Sequence, residues 1–93
     1  STGNVPAEFS LKQNYPNPFN PTTTIEFNLP KASNVSLKIY NSLGKEIETL
    51  LNENMIAGNY KVSFDASKLS SGIYFYTLST GSFRETKTMT LVK

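Results

Sequence analysis

Two residue types that carry much of protein chemistry are missing from this 93-residue sequence. It has no cysteine, which excludes disulfides, thiol nucleophiles and thiolate metal sites. It has no histidine, which removes the commonest general base, the usual zinc ligand and the Ser-His and Cys-His dyads. Catalysis would have to rest on carboxylates or lysine alone. We therefore expect a protein that is not an enzyme and that holds no metal and no cofactor.

Charge and long apolar runs are also scarce. Charged residues make up 17% of the chain, both signs are interspersed, and the net charge is only +2. No stretch concentrates enough positive charge to neutralise a row of phosphates, so we expect no nucleic-acid partner. No apolar run is long enough for a transmembrane segment, and the N-terminus lacks a signal-peptide pattern. If the protein is exported, we expect its signal peptide upstream on a longer precursor.

The apolar residues, 38% of the chain, fall into short alternating runs that predict β-strands. Alternation means that one face of each strand meets a core and the other meets water, the pattern of antiparallel sheets. No stretch shows helical periodicity. The predicted strands cover residues 9–13, 25–29, 35–40, 45–51, 59–65, 73–78 and 83–92.

Turn signals between these runs predict the architecture. Residues 41–44 read as a tight hairpin loop in which Gly44 takes positive φ. Residues 52–58 are predicted as loop, and residues 66–72 as a corner with room for one helical turn. The run 73–78 is apolar on both faces, which predicts a central, doubly covered strand. We expect an all-β fold, an immunoglobulin-like antiparallel β-sandwich of about seven strands, with Tyr74 as its tyrosine corner.

Three prolines surround one phenylalanine in residues 15–21, Tyr-Pro-Asn-Pro-Phe-Asn-Pro, which we call the proline strap. Proline fixes φ and lacks an N–H donor, so the strap cannot join a helix or a central strand. We expect a stiff, extended segment that crosses between the sheets, with Phe19 buried at one end of the core. A rigid segment of this kind also suits recognition, because little entropy is lost when it binds.

The remaining chemical candidates have simpler interpretations. Glu46 and Glu48 are expected on one exposed strand face, where nothing splits their pKa values for acid and base roles. Asp65 provides too few oxygens for a calcium site and is expected to bond its own turn. The sequon that begins at Asn34 is a three-residue match that arises often by chance. Tyr40, Tyr74 and Tyr76 could form an aromatic platform for sugars, but core and corner roles fit them better.

An ordered set of motifs resembles the type A C-terminal sorting domain of the bacterial type IX secretion system. Each motif is weak alone, but their order along residues 9–93 is specific. The motifs are Leu11-x-x-Asn14 with the proline strap and Thr22–Ile25, Val35–Asn41 with Leu43-Gly44, Gly58, Ser71–Tyr76, Gly81, and the final Leu91-Val92-Lys93.

The resemblance implies a non-catalytic signal that directs an attached cargo protein across the outer membrane. The implied partners are the type IX translocon, a surface sortase and a cargo fused at the N-terminus, and the implied location is the cell surface or the medium. Residues 1–8 are then expected to be a linker that contains the cleavage region, and residues 9–93 the sorting domain. The residues implied in sorting and recognition are Pro16, Asn17, Pro18, Phe19, Gly72, Tyr74 and Lys93.

Two alternatives remain open at this stage. One is an immunoglobulin-like assembly module similar to the domain of flagellar hook-capping proteins, which share a comparable proline strap. The other is a carbohydrate-binding module of a secreted enzyme. On the sorting interpretation we further expect the last strand, ending at Lys93, to offer unpaired backbone to which a partner strand can add.

Overall fold

Seven β-strands form the protein in a computed structural model, which describes residues 6–93. The all-β prediction is confirmed. Among the described residues there is no helix long and apolar enough to cross a membrane. In chain order the strands are β1 (Ser10–Leu11), β2 (Thr22–Leu29), β3 (Ser33–Asn41), β4 (Glu46–Met55), β5 (Gly58–Asp65), β6 (Gly72–Ser79) and β7 (Arg84–Leu91).

The strands lie in two antiparallel sheets, with the orders β1-β2-β5 and β4-β3-β6-β7. The chain passes from one sheet to the other after β2, β4 and β5, and makes hairpins within the second sheet between β3 and β4 and between β6 and β7. Two packed sheets with these crossings form the predicted immunoglobulin-like sandwich.

The core lies between the two sheets, and strands such as β2 and β3 alternate apolar and polar side chains so that one face of each meets it. The inward positions of β2 and β3 are completely buried, and every second residue between them faces water. Full burial of one such side chain stabilises the fold by about 1.5–3 kcal/mol. The most deeply buried apolar residues are Phe19, Ile25, Phe27, Leu29, Val35, Leu37, Ile39, Phe64, Ala66, Tyr76, Leu78, Met89 and Leu91.

The predicted turn between β3 and β4 is confirmed. Gly44 has a φ of +85° and donates its N–H to the carbonyl of Asn41 at 2.9 Å. The Asn41 side-chain oxygen also accepts from the backbone N–H groups of Leu43 and Lys45. In the corner at residues 66–72, Leu69 N donates to Ala66 O at 3.0 Å. That single bond closes a turn but does not make the helical turn for which the sequence left room.

Strand β4 differs most from the sequence prediction, which placed a loop over residues 52–58. The strand continues to Met55, and only residues 56–57 separate it from β5. Strand β4 lies at the edge of its sheet and buries little of either face. Residues 52–54 are all polar and still pair with β3, so no alternation of apolar residues in the sequence indicates a strand there. A β-bulge interrupts the pairing at Leu50, because Leu37 pairs with Leu51 and Lys38 with Thr49.

Smaller differences affect β1, β2 and β6. Strand β1 has two residues instead of the predicted five, and β2 begins at Thr22 instead of residue 25. Strand β6 lies centrally between β3 and β7, as predicted. Its outward face is only partly covered, however, since Ile73 is 42% exposed while Thr77 is buried. The prediction of a doubly covered strand is therefore correct for one end of β6 and wrong for the other.

The two ends of the sandwich hold different parts of the chain. At one end, which we call the N-terminal pole, Phe9 stacks on Phe83 with ring centroids 5.3 Å apart. At the other end, the C-terminal pole, Leu91 pairs with both Gly72 and Phe19. Strand β6 runs between them, and its eight residues span about 25 Å at 3.3 Å per residue.

Candidate functional site

The proline strap is closed into a loop by the strand that follows it. Tyr15 and Thr24 exchange two backbone hydrogen bonds, each 3.0 Å long. The sequence predicted an extended strap, but Thr24 belongs to β2 and folds the segment back on itself. At the far end of the loop, Pro21 O accepts from Ala66 N at 2.8 Å, which fixes the loop to the corner at residues 66–72. The peptide bonds before Pro16, before Pro18 and before Pro21 are cis.

A buried asparagine holds the strap from inside. Asn14 is 2% exposed, and its side-chain amide donates to Thr23 Oγ1 at 3.0 Å and to Pro16 O at 3.1 Å. Thr23 Oγ1 donates to the same Pro16 carbonyl at 2.8 Å. These three contacts set the position of Pro16, the first proline of the strap, against β2.

The network continues to Tyr76 on β6. The Tyr76 hydroxyl accepts from Asn14 N at 2.7 Å and donates to Lys12 O at 2.7 Å. Burial raises the pKa of Tyr76 to about 12, so the hydroxyl keeps its proton and remains a donor. The sequence indicated neither Asn14 nor Tyr76 as a support for the strap. They are 62 residues apart, and the only local signal was an asparagine directly before the strap.

The strap lies along the end of β7. Phe19 N donates to Thr90 O at 2.9 Å, and Val92 N donates to Phe19 O at 2.9 Å. Asn17 contributes its side-chain oxygen, which accepts from Thr90 N at 3.0 Å. The Phe19 side chain is 2% exposed and meets Phe64 with ring centroids 6.3 Å apart. The predicted burial of Phe19 is confirmed, and the strap also completes the backbone pairing of the last strand.

That pairing corrects one expectation about β7. Residues 13–19 provide hydrogen-bond partners for Thr90 N, Thr90 O and Val92 N. They also provide one for Thr88 O, which accepts from Gln13 Nε2 at 2.7 Å. The prediction that the last strand presents unpaired backbone near Lys93 is therefore wrong for residues 88–92. A partner strand could add there only by displacing the strap.

The tyrosine corner predicted at Tyr74 is present. Its hydroxyl donates to Ser70 O at 2.7 Å, across the connection that leads into β6. Gly72 begins β6 with a φ of +152°, a value that residues with a Cβ rarely adopt. A Cβ at Gly72 would have no heavy atom within 4 Å, so the requirement for glycine is conformational and not steric.

Lys93 closes the same connection from the other side. Its ammonium group donates to Ser67 O at 2.5 Å and to Leu69 O at 2.7 Å, and its backbone N–H donates to Ser71 Oγ at 3.0 Å. Together with Tyr74, Lys93 provides partners for three carbonyl groups of residues 66–72. Hydrogen bonds from a charged donor are stronger than those from a neutral one. The lysine thus has a structural role that the resemblance did not specify.

The residues that the resemblance singled out meet at one place. Leu91 pairs with Gly72 on one side and with Phe19 on the other, and Lys93 caps the loop below Tyr74. We call this region the C-terminal corner; it consists of residues 16–19, 66–74 and 90–93. Its exposed side chains are Pro16, Asn17, Pro18, Ser67, Lys68, Ser70, Ser71, Ile73, Val92 and Lys93.

The other candidates do not form sites. Tyr74 is 8% exposed and Tyr76 fully buried, so they form no aromatic platform with Tyr40, as the core and corner interpretation predicted. Asp65 bonds its own turn, with Oδ1 accepting from Ser67 N at 2.9 Å. Among residues 6–93, no three carboxylates, histidines or cysteines are grouped so that they could hold a metal.

The two glutamates on β4 are exposed, as expected. Thr49 Oγ1 donates to Glu46 Oε2 at 2.8 Å and the Lys38 ammonium lies 3.5 Å from Glu46 Oε1. The hydrogen bond from Thr49, and then the charge of Lys38, lower the pKa of Glu46. A general acid needs the opposite shift. The pair Glu46 and Glu48 is therefore a solvated strand face.

A comparison with known protein families identifies the family of the chain that carries this corner. The family model described as "Secretion system C-terminal sorting domain" matches residues 13–93, from the residue before Asn14 through Lys93. The chain belongs to this family. No curated protein matches this chain.

Membership of the family assigns the general role. The sorting domain is a C-terminal signal for type IX secretion, and it serves export to the cell surface or the medium. It interacts with the type IX machinery and follows a cargo on its N-terminal side, and the family is not catalytic. Every residue of the C-terminal corner lies inside the matched range.

Proposed function

We propose that the C-terminal corner is the surface of the sorting domain that the type IX translocon recognises. One observation carries this proposal: the proline strap, the tyrosine corner and Lys93 are distant in sequence but meet around Leu91. Asn17, Phe19 and Lys93 all bond backbone groups there, which fixes the shape of the surface before any partner arrives. A preorganised surface loses little entropy on binding.

The position of the cargo is consistent with this surface. Residues 6–9 leave the sandwich at the N-terminal pole, where Phe9 stacks on Phe83. The C-terminal corner lies at the other end of β6, about 25 Å away. A cargo joined upstream of residue 6 is therefore attached at the end of the sandwich opposite the corner.

We further propose that a surface sortase removes the sorting domain by cutting in or just before residues 1–8. Residues 1–5 of this predicted linker lie outside the described residues. Ala7 and Glu8 are exposed and belong to no strand, so backbone near them is open to an enzyme. The cargo would then be released or attached to lipopolysaccharide.

A transport assay tests the sorting role of this chain. Residues 1–93 are fused to the C-terminus of a fluorescent protein that is exported to the periplasm, in a type IX-competent bacterium and in its translocon mutant. We expect fluorescence at the surface or in the medium of the competent strain only. Periplasmic retention in both strains, with a folded domain, would contradict the role.

Variants of the same fusion locate the recognition surface. The double change Ile73→Thr and Val92→Thr alters two exposed side chains of the C-terminal corner without removing a hydrogen bond. We expect it to reduce export several-fold while thermal unfolding shows a folded domain. Ile56→Thr is the matched control, because Ile56 is 74% exposed at the N-terminal pole. Equal export of the two variants would contradict the proposal that the translocon recognises the corner.

Substitutions are preferable to truncation in this assay. Leu91 is 1% exposed and pairs with Phe19, so deletion of residues 91–93 would damage the core as well as the surface. Export lost on truncation would therefore not distinguish unfolding from lost recognition. No observation favours the carbohydrate-binding or hook-cap alternatives over sorting.

A further inference from the structure

The four edge strands of the sandwich differ in how well they resist pairing with another strand. Natural sheets protect their edges with short strands, bulges, charges or covering segments. Strand β1 has two residues. Strand β4 carries bulges at residues 47 and 50 and exposes three carboxylates, those of Glu46, Glu48 and Glu53. Both edges are therefore poor templates.

Strand β7 is protected in two ways. Glu85 and Lys87 occupy the inward-facing positions in line with Met89, and their charged groups lie 3.3 Å apart. Inward-pointing charges oppose the addition of a second sheet edge. Beyond Thr88 the edge is occupied by residues 13–19.

Within the part of the chain that the structure describes, strand β5 is neither short, bulged nor covered, and charges are its only protection. It is eight residues long, pairs with β2 in unbroken register and contains no proline. The N–H and C=O groups of Thr24 in β2 point to Tyr15, away from β5. Its neighbours Thr23 and Ile25 therefore direct their backbone groups to β5. In β5, Val62 and Phe64 therefore bond β2, whereas Lys61, Ser63 and Asp65 turn their backbone groups to the open edge.

We propose that β5 is a self-association site, at which a second copy of this chain pairs antiparallel through the same strand. Centring the two-fold axis on Ser63 places it opposite its own copy and places Lys61 opposite Asp65 of the other chain. Three such residue pairs exchange about six backbone hydrogen bonds. The two sheets become one six-stranded sheet.

Charge selects this register. Lys61, Ser63 and Asp65 are exposed on the outward face, and opposite charges directly across a strand pair attract whereas like charges repel. A lysine in the middle of an edge strand normally discourages pairing. In this register, however, Lys61 of each chain lies directly opposite Asp65 of the other chain. The dimer therefore contains two such Lys–Asp pairs, one on each side of the two-fold axis. On the inward face, half-exposed Val62 becomes covered by Phe64 of the second chain.

Sedimentation velocity on residues 1–93, from micromolar to millimolar protein, tests this inference. We expect a reversible monomer–dimer equilibrium that Lys61→Glu weakens by at least about tenfold, because two attractive cross-strand pairs become repulsive. Lys45→Glu, a charge reversal on an exposed hairpin residue away from β5, is the control and should leave the equilibrium unchanged.

A second variant tests the backbone pairing itself. Ser63→Pro removes an N–H that faces the open edge, so the fold loses no internal bond while the dimer loses its central pair. We expect a folded monomer at all concentrations. Wild-type chains that stay monomeric throughout, or dimers that survive both Lys61→Glu and Ser63→Pro, would overturn the proposal. The measurement involves no secretion machinery, so its outcome is independent of the sorting role.

Discussion

Removal of one hydroxyl group tests whether the buried network supports the proline strap. In Tyr76→Phe, the ring stays in the core while two hydrogen bonds of 2.7 Å, from Asn14 N and to Lys12 O, are lost. Lys12 is exposed and its carbonyl can bond water, but Asn14 is 2% exposed and its N–H loses its acceptor. A buried donor left unpaired costs about 1–3 kcal/mol.

This cost should be visible in thermal unfolding. For a domain of this size, 1 kcal/mol shifts the Tm by roughly 4–8 °C, so a loss of about 2 kcal/mol lowers the Tm by about 8–16 °C. The chain provides a graded control. Tyr60 Oη donates to Ile56 O at an exposed site, so Tyr60→Phe should cost less than about 0.5 kcal/mol. Tyr74→Phe loses one partly buried bond and should cost about 1 kcal/mol.

Circular dichroism melts and urea titrations of the three variants give the order directly. The expected order of destabilisation is Tyr76→Phe, then Tyr74→Phe, then Tyr60→Phe. If Tyr76→Phe lost no more stability than Tyr60→Phe, the Tyr76 hydroxyl would not support the strap, which would then be held by its other hydrogen bonds and by the burial of Phe19.

Further predictions concern the corner and the pH dependence. Gly72→Val should destabilise by about 1–3 kcal/mol, because its φ of +152° strains a β-branched residue, and should block export by unfolding the corner locally; undiminished export of the destabilised variant would refute this. Lys93→Met should lower stability by about 1 kcal/mol through loss of two carbonyl contacts, and Lys45→Met should not. Tyr76 ionises near pH 10 when unfolded and near pH 12 when folded. Its contribution to stability is therefore complete below about pH 10 and lost towards pH 12, and Tyr76→Phe should lack this part of the decline in urea titrations across that range.

The fold could be predicted wherever one face of a strand meets the core. Residues 25–29 and 35–40 alternate because Ile25, Phe27, Leu37 and Ile39 all point inward, and burial imposes that period on the sequence. The end of β4 could not be predicted, since an edge strand with both faces partly in water has no such requirement. Its extension to Met55 depends on pairing with Ser33, which the sequence does not reveal locally.

The candidate site shows the same division. Tyr74 was predictable because its corner is local, with donor and acceptor four residues apart. The contacts that assemble the rest of the corner join distant residues, such as Asn17 with Thr90 and Lys93 with Ser67. Local propensity carries no information about such pairs, and the sequence could therefore identify the residues but not their meeting point.

Because residues 13–19 pair with residues 88–92, the C-terminal corner forms only in a domain that contains both segments and has folded. Residues 13–19 are synthesised before residues 88–92, and the outer backbone edge of residues 88–92 gains these partners only when both segments are in place. Contacts across so long a stretch form late, after the loop between them has closed. A chain that lacks either segment or is still unfolded has no such corner. A translocon that reads this surface would accept only finished, folded molecules and needs no separate inspection step.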